Sequence, residues 1–219
     1  KIFCHSHKIK LFPKKLKNKI VLIAPIVRDI FKKKRINNIK GLNLMIIGGS
    51  QGAKIFDKNF HQVIFKLSKK LNLKIIHQTN VKNVIFLKSF YNKCNIKNKV
   101  FSYNDDIFKI IKRCNFCITR GGSSTLAELF VSKIPFLVIP LKNSKDNHQL
   151  ENAKFYKDKN CCWILDENNL DKKKLYLKLS NILLDKKKFT NKKKSLNNLN
   201  QNIDWNKQKK LILKELNEN

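Results

Sequence analysis

Two segments rich in glycine and hydroxyl side chains carry the residues best suited to chemistry. Gly48–Ala53 and Arg120–Glu128 each follow a short apolar run and precede a helical pattern. Glycine lets a chain turn tightly and leaves room for a ligand beside the backbone. The free N–H groups at a helix N-terminus suit a phosphate. Both segments therefore suit an anion. Gly48–Ala53 has neither Rossmann nor Walker spacing, and a tight turn without a ligand would also need its glycines.

The second segment also presents side chains that suit a sugar. Ser123, Ser124 and Thr125 can hydrogen-bond an anion or a hydroxyl. Glu128 follows Thr125 by three residues, so both side chains point the same way on a helix. A carboxylate there can accept two hydrogen bonds from a ribose diol. The same residues also fit a capping box, Thr125-x-x-Glu128, which needs no ligand. Arg120 and the glycine pair that follows it favour the ligand.

Histidine and cysteine residues do not indicate a metal site. Cys114 and Cys117 have no second pair of ligands at zinc spacing. Their apolar surroundings predict a buried strand, in which two thiols three residues apart point to opposite faces. His148, at the start of a predicted helix, is more typical of a surface histidine than of a catalytic base. We expect neither a metal nor a cofactor.

Short apolar runs alternate with amphipathic stretches along the chain. Seven runs predict strands: Ile20–Ala24, Leu42–Ile47, Leu73–Ile76, Lys99–Tyr103, Phe116–Thr119, Phe136–Ile139 and Cys162–Leu165. Helical periodicity follows most of them, for example in Ile55, Phe56, Phe60, Val63, Ile64 and Leu67. This alternation predicts an α/β fold, a Rossmann-like doubly wound parallel sheet of about six strands. Such sheets bind ligands at the carboxyl ends of their strands.

The chain is strongly basic. It has 219 residues and a formal net charge of +33, from 48 Lys and Arg against 15 Asp and Glu. Only four of the 48 are Arg, and 28 residues are Asn. Lys and Asn have A/T-rich codons, so a nucleotide-composition bias accounts for lysines spread over the surface. A dedicated nucleic-acid reader is expected to use more Arg. No apolar run is long enough for a bilayer span.

Together these segments resemble the C-terminal half of MurG-type glycosyltransferases. These bacterial enzymes transfer N-acetylglucosamine from UDP-N-acetylglucosamine to the lipid-linked muramoyl-pentapeptide of peptidoglycan synthesis. The matching stretches follow the family's order: Ile46–Ala53, His77-Gln78, Tyr103–Ile107, Arg120–Glu128, and Asp146–Gln149 with Asn152-Ala153. The resemblance implies the GT-B fold, in which two Rossmann-like domains face a cleft and the C-terminal domain holds most of the sugar nucleotide.

The resemblance also implies roles for residues of this chain toward UDP-N-acetylglucosamine. Arg28 and Ser50 would surround the diphosphate and nucleotide, and the backbone of Asn104 would read the uracil edge. Gln149 would contact the N-acetylglucosamine. The ribose and phosphate would be held by Ser123, Ser124, Thr125, Leu126, Ala127 and Glu128, with the Glu128 carboxylate on the ribose hydroxyls.

The resemblance covers one of the family's two domains. Residues 1–19 are expected to be the remnant of a preceding N-terminal acceptor domain, and residues 20–203 the UDP-sugar-binding domain. Residues 204–219 are expected to form a C-terminal helix that packs on the N-terminal domain. The general base belongs to that domain in the family, so no catalytic residue is expected in this chain. Alone, the chain is not expected to transfer sugar.

The implied partners are the sugar nucleotide, the lipid-linked muramoyl-pentapeptide and an anionic membrane surface, with no specific nucleic acid. The implied location is cytoplasmic, peripheral on the inner face of the cell membrane. Two alternatives stay open. One is a stand-alone donor subunit of a split N-acetylglucosaminyltransferase. The other is a basic nucleic-acid-binding protein, which predicts lysines clustered on one face and binding that falls steeply with salt.

Overall fold

The computed structural model describes residues 1–6, 12–32, 41–48, 54–142, 144 and 147–217. Within them, six parallel strands form one sheet in the order β5-β4-β3-β6-β7-β8. These strands are β3 Leu42–Ile47, β4 Leu73–Gln78, β5 Lys97–Phe101, β6 Phe116–Thr119, β7 Phe136–Val138 and β8 Cys162–Ile164. The predicted doubly wound parallel sheet is therefore confirmed.

A second, two-stranded sheet lies outside the main one. Its strands are β1 Ile2–Cys4 and β2 Ile20–Leu22, which pair in parallel. A 3₁₀ helix over Lys14–Lys19 leads into β2. The apolar run that begins at Ile20 is thus a strand, as predicted, but it pairs with β1 rather than extending the six-stranded sheet.

Helices cover both faces of the main sheet. They are α1 Asp29–Lys32, α2 Lys54–Ser68, α3 Val81–Lys93, α4 Ile107–Ile111, α5 Ser123–Val131, α6 His148–Asp158, α7 Lys172–Leu183, α8 Lys186–Gln201 and α9 Trp205–Asn217. One hydrophobic core contains side chains of α2, α3 and α7, and the other contains side chains of α1, α4, α5, α6 and α8. Strand β3 contributes side chains to both cores. Leu44 and Ile46 belong to the first core, and Met45 and Ile47 belong to the second. Burial on both faces explains why this strand is almost entirely apolar.

The packing of α2 follows its sequence period. Phe56, Phe60, Val63, Ile64 and Leu67 are all at most 1% exposed. They recur at three and four residues and so form one stripe of the helix, which faces the first core. This was the face predicted from periodicity.

The two cysteines of the Cys114–Cys117 pair belong to the same core. Both are buried, neither forms a disulfide, and both lie in the second hydrophobic cluster. The expectation that they point to opposite faces was wrong, because β6 begins at Phe116 and Cys114 precedes it. Strand alternation therefore does not apply to Cys114.

A buried polar network joins α2, α3 and β4. The Thr79 hydroxyl and the Asn83 side-chain amide both donate to Asp57 Oδ2 at 2.7 Å. His77 Nδ1 lies 2.9 Å from the Tyr91 hydroxyl, and its Nε2 lies 3.5 Å from Asp57 Oδ1. Burial lowers the pKa of His77, although Asp57 partly opposes that shift. Burial raises the pKa of Asp57, but contacts with His77, Asn83 and Thr79 outweigh it and leave a net decrease.

We expect the free energy of unfolding to decrease on acidification because of this network. Below about pH 6.5 the unfolded state binds a proton at His77 that the folded state excludes. As long as the folded state excludes this proton, His77 lowers the free energy of unfolding by about 1.4 kcal/mol for each pH unit of acidification. Replacing His77→Gln should remove that contribution, measured by urea unfolding between pH 8 and pH 5. An identical slope in the parent and the variant would show that His77 does not cause the loss.

Candidate functional site

The strands that precede the two glycine-rich segments are neighbours in the sheet. Of the first segment only Gly48 lies within the described residues. Strand β3 leads into Gly48, strand β6 leads into Arg120, and their last residues, Ile47 and Thr119, are register partners. The strand order reverses between β3 and β6, because β4 and β5 lie to one side and β7 and β8 to the other. Open α/β sheets bind ligands in the crevice at such a switch point. Topology therefore locates the candidate site here.

The N-terminus of α5 opens into this crevice without a side-chain cap. Gly122 occupies the N-cap position, with φ −65° and ψ 126°, and makes no side-chain cap hydrogen bond. The capping-box alternative fails because the helix already begins at Ser123. Thr125 is therefore inside the first turn rather than at its start. Among the described residues, the backbone N–H groups of Ser123 and Ser124 have no acceptor. Such N–H groups are available to an anion.

Glu128, in the second turn of α5, pairs with Arg28. The Arg28 guanidinium lies 3.9 Å from Glu128 Oε1, with side-chain exposures of 62% and 17%. Burial raises the pKa of Glu128, and the charge of Arg28 partly offsets the shift. Arg28 also lies over the Phe31 ring, 5.3 Å from its centroid. Two residues that are 100 positions apart in sequence, and that the family resemblance assigns to the same site, are thus neighbours.

Gly121 is held tightly by the start of α6. Its N–H donates to Gln149 Oε1 at 3.3 Å, and its carbonyl accepts from Asn152 Nδ2 at 3.0 Å. A Cβ at position 121 would lie 2.2 Å from the Gln149 carbonyl oxygen. Glycine is therefore required at position 121 by the close approach of α6, and not only by a ligand.

Gln149 joins two loops of the site. Its Oε1 also accepts from the Leu141 N–H at 2.9 Å, beside the bond from Gly121. Among the described residues its Nε2 has no acceptor, so this amide nitrogen is the group it can offer to a ligand. The sequence predicted Gln149 as a ligand contact and missed its second role, which depends on residues 8 and 28 positions away.

Arg120 is committed to the protein rather than to a ligand. It donates to Glu167 Oε1 at 2.8 Å and to the Ile139 carbonyl at 3.0 Å, and its side chain is 12% exposed. Its guanidinium also lies 5.1 Å from the Phe56 ring centroid. Glu167 in turn accepts from the Lys142 N–H at 2.9 Å. The sequence predicted that Arg120 favours a bound ligand. It did not predict the ion pair of Arg120 with Glu167, which lies 47 residues further along the chain.

The four remaining predicted contacts have different outcomes. Asn104 lies half-buried in the loop after β5, and its backbone N–H and carbonyl have no backbone partner among the described residues. Its main chain is therefore free to read a base edge. Ser50 lies outside the described residues. Leu126 and Ala127 are buried in α5 and can offer a ligand only their backbone.

The described residues contain neither a metal-binding cluster nor a membrane-spanning helix. No group of three His, Cys, Asp or Glu side chains in this part of the chain comes together to hold a metal ion. No helix in the same ranges combines the length and apolar character needed to cross a membrane.

The fold is that of the C-terminal half of a GT-B glycosyltransferase. Acinetobacter baumannii MurG is similar with a TM-score of 0.67 and 23% identity, over 86% of this chain and 52% of that one. Phytolacca americana UGT2, solved with UDP-2-fluoro-glucose and pterostilbene, is similar with a TM-score of 0.68 and 11% identity. That match covers 91% of this chain and 48% of the plant enzyme.

Sequence comparison defines the family. Residues 43–212 match the glycosyltransferase family 28 C-terminal domain, and the chain belongs to that family. A Pelagibacter ubique UDP-N-acetylglucosamine–N-acetylmuramyl-(pentapeptide) pyrophosphoryl-undecaprenol N-acetylglucosamine transferase is 44% identical over 221 residues, which is 100% of this chain and 62% of that protein. The enzyme of the same name from Rickettsia canadensis is 34% identical over 199 residues, covering 85% and 55%. The chain thus spans about three fifths of the length of these relatives.

Proposed function

We propose that this chain binds UDP-N-acetylglucosamine and supplies the donor half of a glycosyltransferase that converts lipid-linked muramoyl-pentapeptide to its N-acetylglucosaminyl product. The observation that carries the proposal is the pairing of Arg28 with Glu128 on α5, a helix whose N-terminus has no side-chain cap. That arrangement offers a diol acceptor, a cation and free N–H groups at one switch point. The names of the Pelagibacter and Rickettsia relatives support the choice of donor and acceptor.

Each part of the donor has a matching group. The first turn of α5 and Arg28 hold the diphosphate, because N–H groups and a guanidinium complement its charge. Glu128 accepts hydrogen bonds from the ribose hydroxyls, and the Asn104 backbone reads uracil. Gln149 donates its Nε2 to the sugar. When the glycosidic bond to the diphosphate breaks, the same N–H groups and Arg28 stabilise the charge that develops on the leaving phosphate.

The chain is proposed to act with an acceptor domain. Residues 204–219 are the proposed contact, since α9 adjoins both the start of the chain and the loop before Arg28. Gln208 exchanges two hydrogen bonds with the Ala24 backbone, at 2.7 and 3.2 Å. Beside it lies a groove of about 570 Å³ lined largely by Ile26, Val27, Trp205, Ile212 and Leu213. Residues 1–19 would then belong to the acceptor side.

A thermal-shift titration with UDP-N-acetylglucosamine tests donor binding. At about 100 times the dissociation constant, the ligand should stabilise the chain by roughly 2.7 kcal/mol. UDP-glucose is the matched control for sugar selectivity, and the titration needs enough salt to suppress non-specific anion binding. A folded chain that shows no shift, or equal shifts with both nucleotides, would contradict the proposed donor.

The basic surface is proposed to serve a membrane rather than nucleic acid. The acceptor named in the relatives is linked to undecaprenol, a lipid. A net charge of +33 draws a protein toward anionic headgroups. The chain would therefore act peripherally on the cytoplasmic face of the cell membrane. Lysines lie on nearly every element, which does not fit a single nucleic-acid groove.

A further inference from the structure

Helix α3 exposes large apolar side chains on one face. Leu87 and Tyr91 anchor the helix in the first core and are fully buried. On the other side, Ile85 is 82% exposed, Val81 75% and Phe86 55%. A cluster of apolar side chains that is this exposed is typical of an interaction surface.

These apolar side chains share their face with cations. Lys82, Lys88 and Lys93 are all exposed on the same side of α3. The helix contains no Asp or Glu, and neither does any position from 58 to 104, a stretch that holds ten Lys. A codon bias accounts for the abundance of lysine and isoleucine. It does not account for the absence of acids, or for apolar residues gathered on a face of α3 that the described residues leave exposed.

The positive charge of these lysines indicates which kind of partner binds this face of α3. A protein partner would have to be acidic to match Lys82, Lys88 and Lys93. An anionic bilayer offers negative headgroups at its surface and hydrocarbon just below, so it satisfies both kinds of side chain at once. Long lysine side chains can lie along the apolar boundary while their ammonium groups reach the headgroups.

We propose that Val81, Lys82, Ile85, Phe86 and Lys88, here called the α3 face, dock on an anionic lipid surface. Val81 and Ile85 enter the boundary between headgroups and acyl chains, and Phe86 flanks them. Each lysine near the headgroups strengthens binding by about fivefold. The proposal rests on the proposed function only in that a lipid-linked acceptor brings the protein to a membrane.

Vesicle sedimentation tests the α3 face. The full chain is mixed with phosphatidylglycerol–phosphatidylcholine vesicles or with pure phosphatidylcholine vesicles, at about 0.15 M salt to limit long-range attraction. The chain should bind the anionic vesicles, and the double variant Val81→Ser with Ile85→Ser should bind them at least about tenfold more weakly. The matched control is Leu177→Ser with Leu184→Ser, at positions that are 51% and 44% exposed on and beside α7. It should stay within twofold of the parent.

Insertion is tested separately from attraction. An Ile85→Trp variant should show a blue shift of its added emission on anionic vesicles and quenching by brominated lipid, whereas Leu177→Trp should show neither. Vesicle binding that is equal in the parent and the Val81/Ile85 variant would overturn the proposal. So would a parent that ignores vesicles, or a variant that loses duplex DNA binding to the same degree. Donor-induced thermal shifts in lipid-free solution should be the same in that variant and the parent, so failure of the α3 face and failure of donor binding are distinguishable.

Discussion

Replacing Glu128→Gln should weaken UDP-N-acetylglucosamine binding by about 100-fold while leaving the chain folded. In the proposed donor site the carboxylate accepts two hydrogen bonds from the ribose diol, and hydrogen bonds to a charged acceptor contribute about 1.5–3 kcal/mol each. The neutral amide keeps the shape of the side chain but replaces one acceptor oxygen with a donor. Isothermal titration with UDP-N-acetylglucosamine measures the loss. Undiminished affinity in the variant would remove Glu128 from the donor site.

The stability of the same variant separates a binding role from a structural one. Because burial raises the pKa of Glu128, ionising this carboxylate disfavours the unliganded fold. The ion pair with exposed Arg28, at 3.9 Å, offsets little of this unfavourable free energy. The unliganded variant should therefore melt no lower than the parent. Glu151→Gln is the matched control, since Glu151 pairs with Lys154 on α6 and should leave donor affinity unchanged.

The raised pKa also gives donor binding a pH dependence of known sign. The raised pKa means that Glu128 takes up a proton at a higher pH than an ordinary glutamate does. The parent should then lose affinity as pH falls toward that pKa, because the protonated side chain accepts fewer hydrogen bonds. The Glu128→Gln variant should lack this part of the dependence.

Gly121→Ala should be the most destabilising single change at the site. The added methyl group would lie 2.2 Å from the Gln149 carbonyl oxygen and 2.7 Å from its carbonyl carbon and Cα. Only backbone atoms of α6 oppose it, so the start of that helix must move. We expect the free energy of unfolding to fall by about 3 kcal/mol, measured by urea unfolding, with loss of the donor-induced thermal shift.

Gly122→Ala is the matched control for this substitution. A Cβ at position 122 meets no atom within 4 Å, and the residue has an ordinary φ of −65°. The change should cost no more than about 1 kcal/mol, the usual penalty for alanine at an N-cap. Equal destabilisation by the two substitutions would mean that the approach of α6 does not restrict position 121.

Local sequence patterns predicted most of the fold because they report burial directly. The period of α2 identified its buried face, and the apolar run at Leu42–Ile47 identified a strand covered on both sides. They did not predict the pairing of β2 with β1, because an apolar run carries no information about which sheet it joins. The start of α5 was ambiguous for a similar reason. Three consecutive hydroxyl residues all suit a helix N-terminus, and only the backbone of Gly122 shows which residue comes first.

The site was predictable where its chemistry is local. The glycines, the hydroxyl residues and Glu128 stand in one segment, and their types already suggest an anion and a diol. The roles of Arg120 and Gln149 depended on partners far along the chain. Glu167 turns Arg120 toward the protein, and Leu141 and Gly121 share one oxygen of Gln149. Such pairings depend on tertiary contacts, so the surrounding sequence does not predict them.

The shared oxygen of Gln149 has a thermodynamic consequence. A single amide group fixes the loop after β6 and the loop after β7, and its nitrogen is the part left to face a sugar. A sugar that engages this nitrogen orders the same amide that restrains Gly121, next to the first turn of α5. Under the proposed function, recognition of the sugar and of the diphosphate would share a coupling free energy, and their contributions to affinity would not add. Selectivity for the sugar would then depend on the same amide group that positions the loop beside the diphosphate.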